Sequence, residues 1–210
     1  MISDPARFHA AIECFDAANR EDPNCRFFQG QSFPQQLLYG QRMTHWLQRL
    51  EPDAAETLQL AARSQHLCRW MIPRSEYPMD RAGYFRWRTR LYGFHADKAG
   101  SILAQVGYDE ATIARVQDLL RKKNLKSDAQ MQALEDVACL VFLENDFTDL
   151  ARQHDAAKIT DIIRKTWKKM SPRGQRATLE VPMSDADRAI LQQALAALPP
   201  ADQTADPSSV

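Results

Sequence analysis

His66 stands three residues after Arg63 and three before Arg69, with Trp70 next in line, in the stretch AARSQHLCRW. At helical spacing these side chains share a face or its margin. An imidazole between two guanidiniums suits an anion, a proton transfer or, given other donors, a metal ion. The plain alternative is a helix edge with solvated arginines and a histidine bonded to a neighbouring carbonyl. His95, in GFHADKAG, lies near an expected helix start where Asp97 can stabilise the positive end of the dipole. His95 itself reads as either a ligand or a surface residue. Glu135 and Asp136, in ALEDVACLVFL, are acids at the margin of an apolar helix, costly there unless paired or metal-bound. Adjacent positions differ by about 100° around a helix, so at most one of the two faces any given point. An ion pair with Arg63, Arg69 or Arg88 is the competing role.

A second cluster, RKTWKKMSPRGQR, sets Arg164, Lys165, Lys168, Lys169, Arg173 and Arg176 around Trp167. Cations with an aromatic can neutralise phosphates and stack a base, so RNA is a candidate partner of this stretch. The bland reading is the solvated face of an amphipathic helix with Trp167 turned to the core. No GxxxxGK[ST], GxGxxG or GxSxG occurs, which removes the usual signatures of NTPases, dinucleotide enzymes and α/β-hydrolases. A helical protein lacking such loops builds its site from side chains facing a bundle interior, commonly around a metal.

The elements that must position these residues are helices. Asp4 can cap a first helix opening at Pro5, and REDPNCRFFQGQSFP breaks it. A second helix runs from Pro34 to EPD. Pro52 can open a third that continues through AAETLQLAARSQHLCRWMI to Pro73. The segment RAGYFRWRTRLYGF is dense in arginine and aromatics, and Gly93 marks a break or a kink after it. Gly107 suits a C-cap and Asp109 opens the next helix. AQMQALEDVACLVFLENDFTDLAR follows as one long helix, DAAKITDIIRKTWKKMS as another ending at Pro172 and Gly174, and a last helix is capped by Ser184. The expectation is an all-α, single-domain helical bundle over residues 1–197 with a disordered tail over 198–210.

Lys plus Arg and Asp plus Glu both number 27, so no global field draws the chain to nucleic acid or to an anionic membrane. Four scattered cysteines without a CxxC pair read as reduced thiols. Neither a signal-like N-terminus nor an apolar run of about 18 residues occurs. A soluble, cytoplasmic protein with no membrane partner is expected.

Long segments, among them LLYGQRMTHWLQRLEPDAAETLQLAARSQHLCRW, FHADKAGSILAQVGYDEATIARVQDLLRKKNLK, ALEDVACLVFLEN and IIRKTWKKMSPRG, resemble domain of unknown function 4202 over nearly the whole chain. A more distant similarity links the chain to the HD superfamily of helical metal-dependent phosphohydrolases. There, AARSQHLCRW resembles the helix that ends in the His-Asp pair, reading Gln65-His66 here. FHADKAGSILAQVGY offers His95, and LEDVACL offers Asp136 or Glu135 where the register places Ala138. The resemblance implies an HD-like phosphohydrolase acting on a phosphoester, with His66, His95 and Asp136 holding a divalent ion such as Mn, Fe or Mg. Glu135 and Arg69 would then be catalytic, and Arg63, Arg88 and Lys123 would bind the substrate. The alternative is a non-catalytic module that has lost the full ligand set and uses its Arg-rich aromatic segment, RAGYFRWRTRLYGF, to hold a small anionic ligand or RNA.

Overall fold

The computed structural model describes residues 2–123 and 127–196. The expected turn around 124–126 and the expected tail over 198–210 lie outside them. The fold is all-α, with one two-stranded hairpin among the described residues. Packing divides the chain into two compact units, one up to Leu134 and one from Glu135 onward.

In the first unit, α1 (Pro5–Arg20) begins as the sequence implies: Asp4 accepts from the Arg7 amide and Pro5 occupies the first helical position. The expected break after it holds a hairpin, β1 (Cys25–Phe28) and β2 (Gln31–Pro34). Gln29 and Gly30, both at positive φ (48° and 80°), form its two-residue turn. Four-residue strands are too short for alternation to stand out. The Asp22 carboxylate ties the hairpin base by accepting from the Asn24 and Gln36 amides.

Helix α2 (Gln35–Leu50) lays Leu38, Met43, Trp46, Leu47 and Leu50 into the core at helical spacing. It packs on α1 and α3 (Glu56–Ser64). Helix α4 (Arg81–Gln105) is continuous for 25 residues and runs straight through Gly93, so that glycine neither breaks it nor ends it. Gly107, at φ 84°, follows its end, and Asp109 caps α5 (Glu110–Leu120). Leu60, Leu91, Leu103 and Leu119 close the core that α3, α4 and α5 share.

Helix α3 departs from expectation. It stops at Ser64, nine residues short of Pro73, and residues 65–68 turn before a short 3-10 segment, Arg69–Met71. The cause is a side chain from another helix: buried Asn19 of α1 accepts from the Cys68 amide at 2.9 Å and donates to the Gln36 carbonyl. Cys68, held there at φ 52°, is in the left-handed region.

The division between the units falls inside α6 (Ala129–Asn145). The long helix expected here ends at Asn145, and α7 (Phe147–Gln153) begins after Asp146. In the second unit α8 (Ala156–Trp167) turns Ile159 and Ile163 inward and packs on α10 (Asp185–Ala196). Between them lies the short α9 (Pro172–Ala177). Ser184 accepts from the Asp187 amide at the start of α10, as expected of a cap. Among the described residues no helix is long and apolar enough to cross a membrane.

Candidate functional site

The unwinding after Ser64 creates the site. In an uninterrupted helix the Leu67 carbonyl would accept from the Met71 amide. Here Met71 N–H donates to Cys68 instead, and the released Leu67 carbonyl accepts from His95 Nδ1 at 2.8 Å. A carbonyl only accepts, so Nδ1 carries the ring proton and Nε2 presents a lone pair. His95 is 2% exposed, and burial lowers its pKa from the ordinary 6.5 to about 4, with the Arg69 charge adding to that effect. The ring is therefore neutral near pH 7.

His66 sits in the same turn, its ring stacked on Tyr39 at a centroid distance of 4.0 Å and 5.8 Å from the ring of His95. An Arg69 N–H meets its Nε2 at 3.4 Å, which places the proton of the neutral ring on Nδ1. Loss of solvent holds its pKa well below the ordinary value, and the cations Arg69, Lys122 and Arg88 push it further down. Arg69 lies over the Trp87 ring at 4.7 Å.

Helix α4 supplies the opposite wall. Tyr84, Arg88, Leu91, Tyr92 and His95 recur at intervals of three and four and fall on one face. The Arg88 guanidinium donates to both the Tyr84 and the Tyr92 hydroxyls, which hold it in place between them. Lys122, just past the end of α5, completes the enclosure with its ammonium 5.5 Å from the Tyr92 ring centroid. The cavity measures about 220 Å³, and none of the described residues that line it is acidic.

A family model matches residues 9–191, described as Domain of unknown function (DUF4202). The chain belongs to that family. No curated protein matches it, and no solved structure does. Within this DUF4202 chain, the fold brings together His66, His95, Arg69 and Arg88 from the residues singled out by sequence.

The other candidates occupy different settings. Arg63 makes a two-pronged pair with Asp16, at 2.7 and 2.6 Å, and donates to Thr44, tying α3 to α1 and α2. Lys123 pairs with Asp118 on the surface, while its neighbour Lys122 lines the cavity. Asp136 lies in the second unit and accepts from both the amide and the hydroxyl of Ser171. Ser171 in turn caps α9 through the Gly174 amide. A Cβ on Gly174 would come within 2.5 Å of the Asp136 carboxyl carbon, so the MSPRG segment is built around that carboxylate. Glu135 has Lys169 at 3.9 Å. In the basic stretch, Arg164 and Lys165 both pair with Asp161 on α8, and Trp167 and Arg176 line a second cavity of about 330 Å³.

Tyr39 and Lys122 escaped the sequence reading, which named Gln65 only as the neighbour of His66 and Tyr84 and Tyr92 only as part of the segment RAGYFRWRTRLYGF. The 84, 88, 92 spacing was a usable signal, since it places two hydroxyls on either side of one guanidinium. In this cavity His66 Nε2 faces a guanidinium, and the described lining residues include three cations and no carboxylate. Among the described residues no group of three His, Cys, Asp or Glu is arranged to hold a metal.

Proposed function

We propose that this DUF4202 chain is a binding protein for a small phosphate- or carboxylate-bearing molecule, held in the cavity between the 65–69 turn and α4. One observation carries the reading: Arg69, Arg88 and Lys122 converge on a half-buried cavity whose described lining residues include no acid. Guanidiniums match the paired oxygens of phosphate and carboxylate. Arg88 is already oriented by two tyrosines, so little side-chain freedom remains to be lost on binding. The HD resemblance points to a metal-assisted hydrolase, but the donor set here favours the anion over the metal.

Calorimetric titration with inorganic phosphate tests the reading. Saturable binding is expected, weakened about tenfold to a hundredfold in Arg88→Gln, the range for a charge-assisted hydrogen bond of about 1.5–3 kcal/mol. Manganese or magnesium alone should give no heat. An Arg88→Gln protein that binds phosphate as the parent does would rule the site out.

A further inference from the structure

We infer that the ligand is a small anion that also carries hydroxyl donors, in chemical class a phosphorylated polyol, bound with its charge on the cations and a hydroxyl on His95. This rests on the anion-binding reading and specifies the part of the ligand remote from its charge.

The cations account for one end only. Two residues of the same lining each carry a buried atom with no hydrogen-bond partner among the described residues, His95 Nε2 and Gln65 Oε1. Their residues are 2% and 7% exposed. Buried polar atoms in native proteins are nearly always paired, because an orphan costs about 1–3 kcal/mol. An orphan in a cavity wall therefore asks what would pair with it. For His95 the answer is constrained by the backbone: the Leu67 carbonyl fixes the proton on Nδ1, and the remaining lone pair can only accept. The Gln65 oxygen also only accepts.

A fully ionised phosphate, sulfate or carboxylate consists of acceptors and would set lone pair against lone pair at both positions. It could satisfy Arg69, Arg88 and Lys122 and leave the histidine unpaired. A hydroxyl group donates to Nε2 and Oε1. A phosphate monoester of a short polyol carries both kinds of group in one molecule. The cavity, at about 220 Å³, is smaller than the roughly 300 Å³ at which pockets for drug-sized ligands begin. A short-chain or single-ring polyol suits it better than a molecule with an attached base.

The test compares three kinds of probe on the full chain at pH 7.5 by titration calorimetry: inorganic phosphate, ethyl phosphate, and two polyol phosphates, glycerol 3-phosphate and ribose 5-phosphate. At least one polyol phosphate should bind about tenfold or more tightly than ethyl phosphate, which has the same charge and no hydroxyl. His95→Asn keeps an amide donor for Leu67 and removes Nε2; the preference for a polyol phosphate over ethyl phosphate should shrink to about twofold. Gln65→Leu is the second variant and carries the comparison if His95→Asn fails to fold. Equal binding of ethyl and polyol phosphates, or a preference that survives both substitutions, overturns the hydroxyl assignment and leaves the anion site standing. Failure of every probe to bind overturns both.

Discussion

Lys122 shows how one residue decides a site. It stands at φ 57° immediately after the end of α5, the position where glycine is usual because a Cβ is crowded in the left-handed region. The Lys123 amide then bonds back to the Asp118 carbonyl, closing the helix end. That reversal sends Lys122 to the cavity and Lys123 to the surface, a distinction invisible in the string RKK. Retaining a side chain at this φ costs stability, so Lys122→Gly is expected to stabilise the protein by about 0.5–1 kcal/mol in urea unfolding while weakening phosphate binding several-fold. A variant that is less stable would overturn the strain at Lys122, and one that binds phosphate unchanged would remove it from the site. His66, His95, Arg69 and Arg88 were legible as chemistry-bearing residues because imidazole and guanidinium groups carry protons and bind anions. Their partners were not, since tyrosine and glutamine serve equally well on any half-buried face.

Helices announce their starts more clearly than their ends. Asp4, Asp109 and Ser184 cap where the sequence places them, because a cap needs only a side chain and an amide three residues on. The end of α3 depends instead on Asn19, 49 residues away from the amide it captures. Arg63 belongs to this scale too. Its pair with Asp16, which is 6% exposed, joins α3 to α1, and Gly40 lets α2 approach so closely that a Cβ there would lie 2.8 Å from the Arg63 carbonyl oxygen. Arg63→Ala leaves Asp16 buried and uncompensated and is expected to lose about 3–5 kcal/mol of stability, with phosphate affinity of the folded protein unchanged. A folded Arg63→Ala protein with weakened phosphate binding would return this arginine to the ligand site.

At the scale of the molecule the buried histidines couple folding to pH. The folded-state pKa of His95, about 4, lies below the unfolded value near 6.5, so between these values the unfolded chain binds more protons. Its contribution is full above about pH 6.5 and is lost as pH falls toward 4, reaching about 3 kcal/mol from this residue. His66 acts in the same direction. Carboxylates with lowered pKa, such as Glu56 and Asp128, add their losses at the acid edge of that window and below it. Urea unfolding between pH 7.5 and 4.5 should therefore show stability falling with acid, and His95→Asn should flatten the slope; an unchanged slope would mean that His95 is not held neutral. The sequence by itself determined the helical class and most helix starts, because periodicity and caps act over one or two turns. Tertiary structure decided where α3 ends, which carbonyl His95 meets and which lysine faces the cavity. Those outcomes depend on amides and carbonyls that helices far apart in sequence capture from one another, and no local pattern records them.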